Sequence, residues 1–136
     1  MKKIFFLLVI LIMAITGQSF YQITPQNESI KNGQAVYTTY CITCHMENGM
    51  GVEGAFPPLV KTGNLNDKNK LVKIILQGKK GPATVKGVQY SVEMAAINIS
   101  DKETVDVINY IRNTWGNKAP LMKYSEMALA KKAMGN

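Results

Sequence analysis

Both cysteines of this chain and its only histidine lie in one run of five residues, Cys41-Ile42-Thr43-Cys44-His45. Two thiols three positions apart share one face of a helical turn, and an imidazole follows directly. A run of this kind can bond a c-type haem covalently: each thiol adds to a vinyl group, and the imidazole is then held beneath the iron. Competing chemistries fit less well. A tetrahedral structural zinc takes four Cys or His ligands, whereas the whole chain has three. A thioredoxin-like dithiol opens a helix after a strand, and no strand-like run precedes Cys41. An oxidising compartment would also permit a Cys41–Cys44 disulfide if haem were missing.

The elements that must position this run can be read from patterning. Residues 21–29 are polar and contain Pro25, which predicts a short linker. A helix is expected over 30–40, with Ala35, Val36, Thr39 and Tyr40 as an apolar flank interrupted by Gly33. From 46 to 66 the chain carries Gly49, Gly51, Gly54, Pro57, Pro58 and Gly63, so a loop follows the cysteines. A loop of that length in a small domain has to wrap something. A middle helix over 67–77 has Asn66 as candidate N-cap, Leu71, Ile74 and Ile75 on one face, and Gly78 as its stop. A second loop, with Gly81-Pro82 and Gly87, leads to Met94. The last helix starts at Ser100, whose spacing to Glu103 makes a capping box, and Trp115-Gly116 closes it.

Export is written at the N-terminus. Lys2-Lys3 is a positive n-region, 4–15 an apolar h-region, and Gly17 and Ser19 stand at −3 and −1 for cleavage after residue 19. A spanning helix needs about twenty apolar residues, so this stretch favours a cleaved leader over a membrane anchor. About 117 residues then remain, one small domain with a limited core of its own. A buried cofactor would add apolar mass.

The formal charge of +7 falls to +5 without the leader. The excess is local: seven lysines lie between Lys61 and Lys86, against Asp67 alone. Such a cluster can steer an anionic partner or membrane surface, or be merely a solvated face. Nucleic acid is a poor fit for a chain with one arginine and no aromatics interleaved in the basic stretch.

On these residues the chain resembles the class I c-type cytochromes, in particular the monohaem bacterial members of the periplasm. The likeness covers residues 29–117 and rests on Cys41-Ile42-Thr43-Cys44-His45, on the run from Gly81 to Gly87, on Tyr90 and Met94, and on Asn109-Tyr110-Ile111-Arg112-Asn113-Thr114-Trp115-Gly116. The resemblance implies an all-α, small cytochrome c-like fold, with three main helices and long loops around one covalent haem c. The implied organisation is a signal peptide over 1–19, a linker over 20–28, the cytochrome domain over 29–117, and a tail over 118–136 that is a packed or frayed terminus or a short helix.

The same resemblance assigns roles. Cys41 and Cys44 would form the thioethers and His45 would be the proximal iron ligand. Pro57, twelve residues after His45, matches the proline whose carbonyl accepts from that imidazole, and Leu59 matches a haem-packing leucine. Gly33 and Tyr37 match one half of a crossing between the first and last helices, with Val107 and Tyr110 as the other half.

Eight methionines compete for the sixth position. Met94 is the choice, because it lies on the loop between the middle and last helices, as the family's ligand does; a neutral thioether there raises the potential of an electron-transfer haem. Met46 adjoins His45 and cannot reach the other haem face. Met50 could do so only by loop folding, and Met122, Met127 and Met134 read as packing residues of the tail. The family usually has proline after its axial methionine, whereas Ala95 stands here, so an open or replaced sixth site is the competing expectation.

The function implied is one-electron transfer between redox proteins, soluble or membrane-bound, with no bond of a small-molecule substrate broken. Alternatives are a cytochrome subunit of a larger periplasmic dehydrogenase or reductase, and a haem sensor or enzyme with an open sixth site. The enzyme reading lacks a second histidine for acid–base work.

Overall fold

The computed structural model describes residues 25–135, so the leader and most of the expected linker lie outside the described residues. In chain order it contains helix α1 (Pro25–Tyr40), the one-turn α2 (Ile42–His45), a 3-10 turn (Gly63–Leu65), α3 (Lys68–Gln77), strands β1 (Ala83–Val85) and β2 (Val88–Tyr90), α4 (Asp101–Asn113), a second 3-10 turn (Tyr124–Glu126) and α5 (Met127–Met134). The architecture is all-α apart from the two-stranded ribbon, as the resemblance implies. Among the described residues no helix is long and apolar enough to cross a membrane.

Helix α1 begins earlier than the polar composition suggests. Residues 25–28, expected in the linker, are helical, because proline suits a first turn, whose N–H groups lack partners anyway. Glu28 in that turn complements the helix dipole. In α3 the N-cap is Asp67, one residue later than the Asn66 expected: its carboxylate accepts from the Asn69 and Lys70 amides at 3.0 and 3.1 Å. The capping box of α4 forms as its spacing predicts. Ser100 Oγ accepts from the Glu103 amide at 3.2 Å, and Glu103 Oε2 accepts from the Ser100 amide at 2.8 Å.

The second loop contains an unexpected antiparallel ribbon pairing Ala83 with Tyr90 and Val85 with Val88. Lys86 and Gly87 turn the chain with φ of 50° and 80°, the two positive values a type I′ hairpin needs. Valines on both sides of a Lys-Gly pair are a short signal, and the neighbouring Gly81-Pro82 masked it.

Helices α1 and α4 cross at Gly33. A Cβ there would lie 1.9 Å from the Asp106 carbonyl oxygen and 2.8 Å from Tyr110 Cβ, so the two backbones touch. Beside the crossing, Tyr37, Tyr110 and Trp115 form a mutual cluster with ring centroids 5.1–5.5 Å apart. Each such pair contributes about 0.5–1.5 kcal/mol beyond area burial. Asp106 and Tyr110 make the nearest approach to Gly33, while Val107, one residue on, is buried in the same core and also lines a cleft.

The tail is packed. Met122, Met127 and Ala130 are buried in the same core as Val72, Val105 and Ile108. A buried polar network pins it further. Asp106 accepts from Ser29 Oγ at 2.6 Å and from the Tyr124 hydroxyl at 2.5 Å, while Asn109 exchanges two hydrogen bonds with the Met122 backbone. Lys68 pairs with Glu126, closing the tail over α3.

Candidate haem site

The site starts where α1 ends. Tyr40 is the last residue of α1, Cys41 breaks the helix, and α2 adds one further turn in which the His45 amide donates to the Cys41 carbonyl at 2.9 Å. Met46, with φ of 63°, then stops the turn. The Tyr37 hydroxyl donates to the Met46 carbonyl at 2.6 Å, and Trp115 Nε1 donates to the Glu47 carbonyl at 3.0 Å. The aromatic cluster at the helix crossing therefore also anchors the exit from the cysteine motif.

Cys41, Cys44 and His45 line a cleft of about 500 Å³. Its walls are Pro57 and Leu59 from the loop, Leu71, Ile74 and Ile75 from α3, Val85 and Tyr90 from the ribbon, Met94, and Val107 and Ile111 from α4. A largely apolar lining with a few polar groups at this size is what a cofactor needs. All six residues singled out from sequence, Cys41, Cys44, His45, Pro57, Leu59 and Met94, meet on this one cleft.

Hydrogen bonding decides the histidine tautomer. His45 Nδ1 lies 3.0 Å from the Pro57 carbonyl oxygen, and a carbonyl only accepts. The proton is therefore on Nδ1, and Nε2 keeps its lone pair for a metal. Burial lowers the His45 pKa, opposed by that hydrogen bond, so the neutral ring is favoured. Burial, aided by the nearby Cys44, pushes the Cys41 thiol up to about 11. Both cysteines are free of a disulfide.

The loop is shaped around Pro57. A Cβ at Gly51 would lie 2.2 Å from the Phe56 carbonyl oxygen, and the Gly51 amide donates to the His45 carbonyl at 3.0 Å. Leu59 is held from two sides: its amide donates to the Gly49 carbonyl at 2.7 Å, and its carbonyl accepts from Asn117 Nδ2 at 2.8 Å. Met94 arrives from another part of the chain. Its backbone pairs with Lys79 in an isolated antiparallel bridge, and its side chain is half-buried against the core.

Sequence patterning missed several contributors. Thr62 lines the cleft with a buried hydroxyl that has no hydrogen-bond partner among the described residues. Asn117 and Thr62 lie in loops, where spacing carries no signal about which side chain turns inward. Ile74 and Tyr90 were in view, as a helix face and as a point of family likeness, and both line the cleft.

The family model described as Cytochrome c matches residues 30–115. A cytochrome c-552 of Thermus thermophilus is 34% identical over 95 residues, covering 63% of this chain and 70% of that protein. The cytochrome c subunit of a quinone alcohol dehydrogenase from Gluconobacter oxydans is 37% identical over 94 residues, and the cytochrome c subunit of a gluconate 2-dehydrogenase from Pantoea cypripedii is 29% identical over 99. The match spans only 19% and 22% of those two subunits. With the helix crossing, the cleft, and the two thiols and imidazole that line it, this extended match shows that the chain belongs to the cytochrome c family.

Proposed function

We propose that this chain is a one-electron carrier that holds a single haem c through thioethers to Cys41 and Cys44, with His45 and Met94 as axial ligands. The observation that carries the reading is the His45–Pro57 hydrogen bond, which leaves Nε2 unprotonated in a cleft also lined by both thiols and a methionine. The residues present fit the group: donors of the right types come from two separate segments, the walls are apolar, and the unpartnered Thr62 hydroxyl suits a haem carboxylate.

When bound, the haem supplies reversible exchange of one electron at iron. The protein's part is to keep ligands in place and water out. His45 is oriented by Pro57, a contact that also raises the basicity of the ligating nitrogen. Leu59, Leu71, Ile75, Val107 and Ile111 exclude water from the inner wall of the cleft, and Tyr40 and Val92 stand exposed at its rim. Denaturing mass spectrometry of the matured protein is expected to read apoprotein plus one haem. An unmodified mass, or haem extracted by acidic organic solvent, would sink the covalent assignment.

Redox proteins are the proposed donors and acceptors, and the lysines of 61–86 the means of steering them. They are not equivalent. Lys68 is paired with Glu126, and the Lys79 ammonium donates to the carbonyls of Lys80, Gly81 and Pro82 at 3.1–3.3 Å, which makes it part of a turn. Lys70, on the cleft, and Lys80 are exposed. Electron exchange with the physiological partner is expected to slow as salt rises, since charges are screened beyond about 8–10 Å at physiological ionic strength. Glutamate at Lys70 and Lys80 should slow association and flatten that dependence with the spectrum unchanged. Rates indifferent to salt and to both substitutions would return these lysines to the role of a solvated face.

The likeness to dehydrogenase cytochrome subunits supports a second reading in which the partner is one fixed dehydrogenase or reductase. Co-purification of a stoichiometric second subunit from the native source would select it. Export to the periplasm, by the leader at 1–19, belongs to both readings.

A further inference from the structure

We infer that Gly78 and the backbone of Lys79 form a clamp that holds Met94 in its ligating position, doing for this chain what a proline after the methionine would do. The inference rests on the reading of Met94 as the sixth ligand. Residue 95 is alanine, which leaves φ after Met94 unrestricted by any ring. Restraint comes instead from across the cleft wall. The Lys79 amide donates to the Met94 carbonyl at 2.8 Å, the Met94 amide donates to the Lys79 carbonyl at 3.0 Å, and the Ile97 amide donates to the Ile75 carbonyl at 2.8 Å. Three backbone bonds thus fasten residues 94–97 to the C-terminal end of α3.

Gly78 sets how close the two segments come. Its φ is +75°, a left-handed value that disfavours side chains, and a Cβ would stand 2.5 Å from the Met94 carbonyl oxygen and 2.9 Å from the Ala96 nitrogen. Both contacts are to backbone, which cannot rotate away as a flexible side-chain tip could. Any residue other than glycine must therefore push the Met94 segment off α3. Because α3 is capped by Asp67 and buries Leu71, Val72 and Ile75, the partner that yields is the segment 94–97, in which Ala95 and Ala96 are exposed.

Gly78→Ala tests this against Gly87→Ala, since Gly87 has a similar φ of +80° but nothing within 4 Å of where a Cβ would stand. Both variants put alanine at positive φ, with the greater backbone strain at Gly78, whose ψ is −178°. Contact with Met94 belongs to Gly78→Ala alone, and amide exchange of the parent reads that contact without the strain. In the ferric holoprotein, Gly78→Ala is expected to weaken the sulfur–iron charge-transfer band and to bind imidazole at the sixth site at least about tenfold more tightly, because part of the population no longer presents the thioether. Gly87→Ala should match the parent in both readouts. If the two variants behave alike, the clamp is refuted while methionine ligation stands. If Met94→Ala keeps the band, the ligand reading itself falls. Should Gly78→Ala fail to mature, amide hydrogen exchange of the parent holoprotein decides: the Lys79, Met94 and Ile97 amides are expected to be protected and to open together. Exchange at the rate of a free loop overturns the clamp.

Discussion

Met94→Ala is expected to abolish the sulfur–iron charge-transfer band and to lower the reduction potential by roughly 0.1–0.3 V, a sizeable part of the roughly 0.8 V that axial ligation spans. A thioether is a neutral, soft ligand that favours the reduced iron, so its loss favours the oxidised form. Met50→Ala is the control from the loop, because Met50 is 55% exposed and does not line the cleft. Met127→Ala is the control from the core: at 3% exposure its loss should cost about 2–5 kcal/mol of stability but leave the band in place. Redox titration and visible spectra of the three variants separate a ligand from a packing residue. A band that survives in Met94→Ala would transfer the sixth position elsewhere.

Gly33→Ala is expected to be strongly destabilising for the addition of one methyl, at about 3–5 kcal/mol. The added carbon would stand 1.9 Å from the Asp106 carbonyl oxygen, well inside contact distance, and relief requires α1 and α4 to separate. Separation would strip Tyr37 from Tyr110 and break the Ser29–Asp106 bond, so the loss propagates to the tail that Asp106 holds through Tyr124. Gly63→Ala, with open space around the new carbon and no positive φ, is the matched control and should be near neutral. Denaturant unfolding of both variants measures the contrast. Equal midpoints would mean that the two helices can slide apart at little cost, and the crossing would lose its structural role.

The site was more legible in sequence than the path of the chain around it. Cys41, Cys44 and His45 are adjacent, so their chemistry survives any error in the fold. Pro57 could be placed by its distance from His45, and the hydrogen bond between them is there. That Val107 also lines the cleft could not be read, because a helix buried on nearly every side, as α4 is from Thr104 to Arg112, has no single apolar stripe. The start of α1 at Pro25 and the ribbon at Val85 and Val88 were missed because proline and glycine read as loop wherever they occur, although each also has a regular position inside an element.

What the sequence determines by itself is the covalent chemistry and the local stops: the cysteine–histidine run, the capping box at Ser100, and the supply of methionines that can offer a sixth ligand. These depend on residue type and short spacing, which the chain carries without folding. Tertiary structure alone decides which side chains share a cleft, why Nε2 of His45 is the nitrogen left for a metal, that Lys79 belongs to a turn while Lys70 and Lys80 stay exposed, and that Gly78 lies against Met94. Each of those facts joins residues far apart in the chain or turns on which way a backbone carbonyl points. Close packing fixes both only once the helices have crossed at Gly33.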